Sequence, residues 1–137
     1  MTKLPISATE TQLRALLAKR ILILDGAMGT MIQRYKLTEA DYRGAKPNGD
    51  AGRFVDFKAP AGQRELFVKG NNELLSLTQP QVIQEIHEQS LAAGADVIET
   101  NTFGATRIVL DEYGLGEKAY EINKIAAEIA KNAANRY

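Results

Sequence analysis

The 137-residue sequence contains no cysteine and only one histidine, His87. The first absence excludes disulfides, thiol nucleophiles and cysteine-based zinc sites. A single histidine without cysteine cannot make an ordinary structural zinc site either. Charge of one sign is also missing, since 17 Lys+Arg balance 17 Asp+Glu. No basic excess therefore attracts nucleic acid or an anionic membrane surface. No apolar run approaches the ~20 residues that span a bilayer. The first eleven residues are polar and lack a secretory signal pattern. The expectation is a cytoplasmic protein with neither nucleic acid nor membrane as partner. Its own chemistry must rest on carboxylates, hydroxyls, amides, amines and backbone.

What is present is an ordinary core-forming composition, 45% hydrophobic and 25% charged. Ser7-Ala8-Thr9-Glu10 fits a capping box, and Leu13, Leu16 and Leu17 follow at helical spacing, so a helix is expected over 8–20. Ile21-Leu22-Ile23-Leu24 is a continuous apolar run of the kind found in strands buried on both faces of a parallel sheet. A short helix is expected over 28–35 and a further turn over 38–42. Residues 44–62 are rich in turn formers, and 44–68 reads as a loop excursion, with short strands conceivable at 54–57 or 66–68. Thr78 and Pro80 then suit the start of a helix whose Val82, Ile83, Ile86, Ser90 and Ala93 share a face, stopped by Gly94. Asp96-Val97-Ile98-Glu99 is the second short strand. Helices over 105–113 and 117–135 complete the chain. In the last, Ala119, Ile122, Ala126, Ile129 and Ala133 form one apolar stripe, with Ile125 beside it.

Buried strands alternating with amphipathic helices argue for α/β architecture. Two parallel strands alone make a poor sheet, because each leaves an unpaired edge. A complete barrel of eight such units takes ~250 residues. The sequence also stops inside an alanine-rich helix pattern. The expectation is a fragment of a larger domain; the alternative is a small standalone domain that closes its edges by oligomerising.

Two segments directly after the strands could carry chemistry. Ligands in parallel α/β folds bind at the carboxyl ends of strands. Asp25-Gly26-Ala27-Met28-Gly29-Thr30 sits at one such end. Its glycines let backbone approach a ligand closely, and the start of the next helix offers free N–H groups. It reads equally as a tight turn with Asp25 as helix cap. It is not a phosphate-binding P-loop, because the Lys-Ser/Thr ending is missing. Glu99-Thr100-Asn101-Thr102-Phe103 sits at the other end. If both strands share a sheet, Asp25 and Glu99 emerge on one edge. Two carboxylates near backbone donors suit a ligand with an ammonium and a carboxylate, an amino acid; a general acid/base pair is also possible. The competing reading pairs Glu99 with a Lys or Arg elsewhere. Lys69-Gly70-Asn71-Asn72-Glu73-Leu74-Leu75 reads as turn architecture rather than ligand contact. His87 reads as a solvated helix residue, and Arg34-Tyr35-Lys36 as solvated surface.

At these residues the chain resembles the cobalamin-dependent methionine synthases. The resemblance opens with Leu-Asp-Gly-Ala-Met-Gly-Thr-Met-Ile-Gln and Lys-Leu-Thr-Glu-Ala-Asp-Tyr-Arg-Gly within 21–44. It continues in order through KGNNELL (69–75), PQVIQEIH (80–87), AAGADVIETNTFGAT (92–106) and YEINKIAAEIAKN (120–132). Only 44–68 matches poorly. The Asp-Gly and Glu-Thr-Asn-Thr-Phe segments are shared with other homocysteine methyltransferases, such as the betaine-dependent enzymes, while the 35–44 stretch tilts the choice. The resemblance implies the N-terminal fragment of a (β/α)8 TIM barrel: the first two or so βα units plus an N-terminal helix. Residues 1–137 would form a partial homocysteine-binding domain, truncated before the strands that bear the zinc ligands. It implies that Asp25 helps hold the substrate amino group, that backbone at Gly26 and Ala27 helps hold its carboxylate, and that Glu99, Thr100 and Asn101 line the same mouth. The resemblance further implies that in the intact protein a zinc-bound homocysteine thiolate would take a methyl group from methylcobalamin to give methionine. The remaining barrel and the folate, cobalamin and activation domains would be this segment's partners. Alone, it is expected to bind neither zinc nor cobalamin, to contain no catalytic residue and to be inactive. The rivals are a betaine-type homocysteine methyltransferase and a non-catalytic module that binds an amino acid or a partner protein.

Overall fold

The structure, a computed structural model, describes residues 6–45, 54 and 67–137. Most of the 44–68 excursion, with its conceivable strands, lies outside the described residues. The described elements are predominantly helical. Helix α1 spans Ala8–Leu17, α2 Met28–Arg34, α3 Glu39–Tyr42, α4 Leu75–Thr78, α5 Pro80–Ala92, α6 Arg107–Asp111 and α7 Ala119–Ala134. Short 3₁₀ turns at Asn72–Leu74 and Gly116–Lys118 lead into α4 and α7. No helix among them is long and apolar enough to cross a membrane.

The core forms where α5 packs on α7, with α4 wedged against both. Val82, Ile83 and Ile86 of α5 meet this interface, as do Ile122, Ala126, Ile129 and Ala133 of α7. Ile83, Ile86, Leu74, Leu75, Leu110 and Ile122 are essentially sealed from solvent. Burying one such side chain contributes about 1.5–3 kcal/mol. The alanines of α7 let its backbone approach closely, which is why the expected stripe falls on the interface. The predicted stripe of α5 runs too far: its buried residues are Val82, Ile83, Ile86 and His87, while Ser90 is half-buried and Ala93 exposed. Gly94, at φ 101°, ends the helix in the left-handed conformation that favours glycine. Thr78 does not cap α5. It closes α4, donating its hydroxyl to the Leu74 carbonyl, and Gln79 precedes Pro80 instead.

The two segments expected as strands do come together. Leu24 and Val97 form a parallel bridge, and the Asp25 N–H donates to the Val97 carbonyl at 2.9 Å. The N–H groups of Asp96 and Val97 both reach the Ile23 carbonyl. Arg20 forks onto Asp96 with two bonds of 2.7 and 2.6 Å, and Asp96 also accepts the Ile23 N–H. The pairing is one isolated bridge, not a ladder, and the described residues contain no strand. The expected burial on both faces also fails. Ile21 is 84% exposed, Ile23 54%, Leu24 53% and Val97 41%. A strand pair is buried only where other elements cover it, and none of the described elements does. The same holds for α1. It forms from 8 to 17 with Ser7 accepting the Glu10 N–H, yet it buries no residue and leaves Leu13 and Leu17 in solvent. Glu10 turns its carboxylate to Arg14 rather than back to the cap.

One further surface expectation fails, at His87, and another holds for Arg34 and Lys36 but not for Tyr35. His87 is wholly buried within α5. Tyr35 packs partly against the core, and its hydroxyl donates to Glu85 at 3.0 Å.

Candidate functional site

The parallel bridge delivers two loops to the same end of the molecule. The Asp25 carboxylate accepts the Glu99 backbone N–H at 2.8 Å, so the Asp-Gly segment and the Glu-Thr-Asn segment are tied side by side. Between them lies a cavity of about 300 Å³, the lower end of the size range of small-molecule sites. Asp25, Gly26, Ala27, Glu99, Thr100 and Asn101 all line it. Every residue singled out from these two motifs therefore reaches one pocket.

Ala27 takes φ 58°, in the left-handed region, immediately before α2. A non-glycine residue there is strained by about 1 kcal/mol or more. The conformation turns the chain sharply out of the strand segment and into α2. It also keeps the Gly26–Ala27 backbone beside the Asp25 carboxylate.

The site residues differ in what they have left to offer a ligand. One Asp25 oxygen is engaged by Glu99; the other has no partner among the described residues. Glu99 makes no ion pair among the described residues, so pairing with a distant Lys or Arg is not its role there. Asn101 is 95% removed from solvent and spends its amide hydrogens on the Asn72 carbonyl at 2.8 Å and the Ser76 hydroxyl at 3.2 Å. It is chiefly a strut that fixes the 99–103 loop, with only its oxygen free. The Thr100 and Thr102 hydroxyls share a hydrogen bond of 2.7 Å.

The segment read as plain turn architecture is also part of the wall. Asn72 and Glu73 line the cavity together with Met28, Gly29, Thr102 and Phe103. Turn chemistry is present as expected: the Asn71 side chain accepts the Leu74 N–H. Glu73 additionally accepts the Gly104 N–H at 2.8 Å, and a Cβ at Gly104 would lie 3.0 Å from that carboxylate oxygen. Glycine at 104 lets the loop sit this close.

The stretch around α3 holds this segment in place. Thr38 and Asp41 form a reciprocal capping box, which pulls the Asp41 carboxyl below the usual carboxylate range. Glu39, paired with Arg43, accepts the N–H groups of Val68 and Lys69 at 2.9 and 2.7 Å. The Gln79 amide donates to the Asp41 carbonyl. The Tyr42 hydroxyl donates to the Asn72 side-chain oxygen at 2.7 Å. The contacts to Val68, Lys69, Asn72 and Gln79 span 29 to 38 residues of sequence, so no local pattern announces them.

Behind the pocket, neither ring nitrogen of His87 has a hydrogen-bond partner among the described residues. Burial lowers its pKa below the ordinary value, opposed by the negative charge of Asp25.

Taken together, the described lining residues carry three carboxylates, of Asp25, Glu73 and Glu99, and no Lys or Arg. Such a wall attracts a cationic group. The carboxylates do not converge as a metal site, and no cluster of three His, Asp or Glu residues suited to a metal occurs among the described residues. Residues 22–137 match the family model described as Homocysteine S-methyltransferase. That match spans most of the sequence and includes both pocket motifs, and the chain accordingly belongs to the homocysteine S-methyltransferase family.

Proposed function

We propose that this chain is the homocysteine-binding portion of a cobalamin-dependent methionine synthase, supplying the first βα units of a (β/α)8 barrel. The carrying observation is the acidic pocket in which Asp25 and Glu99 meet beside the Gly26–Ala27 backbone. A free carboxylate oxygen on Asp25 suits the substrate ammonium, and Glu99 reinforces it. Backbone at Gly26 and Ala27 suits the substrate carboxylate. Thr100 and Asn101 complete the wall. The parallel bridge and the uncovered Ile21, Ile23, Leu24 and Val97 support packing against further strands. The 35–44 stretch favours the cobalamin-dependent enzymes over the betaine-type by its sequence resemblance.

The zinc implied for the family does not fit the donors of this chain. Cysteine is absent, and the only histidine is sealed in the core. In the proposed reading, zinc and cobalamin are held by other parts of the full-length protein, and the chain alone binds substrate without transferring methyl. What its residues do is hold the amino-acid end of homocysteine so that the sulfur projects away from the acidic wall.

Two measurements test this. An immunoblot of the native gene product should show a band far above 15.0 kDa; a sole band at that mass would leave a standalone binding module. In the intact protein, Asp25→Ala should weaken homocysteine binding by about 10- to 100-fold, the loss of a hydrogen bond to a charged group, with zinc content unchanged. Unaltered affinity would remove Asp25 from the site.

A further inference from the structure

The acidic wall leaves a question of charge. An amino acid brings a carboxylate as well as an ammonium, and the described lining residues include no cationic side chain to meet it. Backbone is one source of donors. Among the side-chain amides of the lining there are two, those of Asn72 and Asn101. Both hydrogens of Asn101 are committed to Asn72 and Ser76. The Asn72 side-chain nitrogen has no partner among the described residues.

The orientation of that amide is set from behind. Tyr42 is 95% removed from solvent, and its hydroxyl donates to the Asn72 oxygen at 2.7 Å. Burial, first of the causes, raises the Tyr42 pKa above its ordinary value, which keeps that proton in place. With its oxygen held by Tyr42, Asn72 turns its NH₂ toward the other side. There the nitrogen stands 3.6 Å from where a Cβ on Gly29 would lie, beside the Asp25–Gly29 backbone. Gly29, without a side chain, leaves the donor uncovered.

We infer that Asn72 is a substrate-binding residue whose side-chain amide, positioned by Tyr42, donates to the carboxylate of the bound amino acid. The inference rests on the homocysteine reading of the pocket and adds to it a discriminator between amino acids and simple amines. Asp25 and Glu99 serve the ammonium; Asn72 and the adjacent backbone serve the carboxylate. An amide is suited to this wall because it supplies a directed N–H without placing a cation among three carboxylates, where it would pair with them instead of with the ligand.

The test compares two ligands by isothermal titration into the intact gene product: L-homocysteine and 3-aminopropane-1-thiol, which keeps the thiol and amine but lacks the carboxylate. Asn72→Ala should weaken homocysteine binding by roughly 10- to 100-fold and leave the aminothiol within about twofold. Asn72→Asp keeps the shape and the oxygen that Tyr42 holds, and replaces the donor by an anion. It should weaken homocysteine at least as much while leaving the aminothiol unweakened. Tyr42→Phe should weaken homocysteine by severalfold, with no additional effect in the Asn72→Ala background. Equal losses for both ligands in the Asn72→Asp protein would overturn the role of Asn72 and leave the pocket assignment standing. Failure of the unmodified protein to bind homocysteine at all would overturn both.

Discussion

Removing the Asn101 amide should both destabilise the molecule and loosen its pocket. Asn101 is 5% exposed, and its nitrogen donates to the Asn72 carbonyl at 2.8 Å and to the Ser76 hydroxyl at 3.2 Å. Ser76 is fully buried. A hydrogen bond contributes a net ~0.5–1.5 kcal/mol, but a buried acceptor left without a donor costs ~1–3 kcal/mol. Asn101→Ala removes two hydrogen bonds, but the Asn72 carbonyl keeps the Leu75 N–H and the Ser76 hydroxyl can rotate to another acceptor, so neither group is orphaned. The expected loss is therefore that of two hydrogen bonds, about 1–3 kcal/mol, a sizeable share of the ~5–15 kcal/mol that holds a typical domain. Urea denaturation followed by far-UV circular dichroism reads this as a lower midpoint at unchanged slope. The same two bonds tie the 99–103 loop to the Asn72 wall, so amide exchange in both segments should accelerate together. A stability loss under ~0.5 kcal/mol, or faster exchange in only one segment, would refute the view of Asn101 as the strut between them.

Two predictions concern pH. His87 has its pKa lowered from 6.5, by burial before any other cause. The unfolded chain then takes up a proton before the native one does, so stability declines as pH falls below 6.5. Since His87 is the only histidine, its single imidazole resonance reports this directly, and a native midpoint at or above 6.5 would contradict it. Asp96 is held down to about 2 from 3.8, chiefly by the Arg20 side-chain hydrogen bond. Its contribution is present above 3.8 and is lost as pH falls toward 2. The stability gap between the unaltered protein and Asp96→Asn should be constant near neutrality and close over that acid interval. A gap that persists at pH 2 would show that the Arg20 pairing is not its source.

The helical half of the molecule was legible in local pattern. The α7 stripe, the Pro80 start of α5 and the Gly94 stop each depend on residues within one or two turns, and each appears where the spacing puts it. The pocket was half legible. Asp25 follows an apolar tetrad and Glu99 ends the second short segment, so parallel pairing puts both at one edge, as the bridge does. The other half was not, because it depends on contacts across long sequence separations. Asn72 reads as a turn former until Tyr42, thirty residues earlier, fixes its amide. Glu73 belongs to a segment that reads as turn architecture until Gly104 donates to it. His87 lies beside Glu88 in a charged stretch of sequence, but the helix phase turns it inward with Ile83 and Ile86, and only the packing of α5 against α2, α4 and α7 makes that face interior.

The two short segments teach the opposite lesson. Ile21-Leu22-Ile23-Leu24 and its partner around Val97 carry the composition of buried strands, and they do pair in parallel. Composition records what a segment needs as cover, whereas tertiary structure decides what cover it has, and among the described elements none lies over Ile21 or Ile23. By itself, then, the sequence determined the helices, the pairing partners and the acidic character of the site, since those follow from periodicity and side-chain type. The wall of the pocket, the direction of its one free amide and the burial of its histidine were decided only in three dimensions, because each is set by a neighbour that the chain brings in from far away.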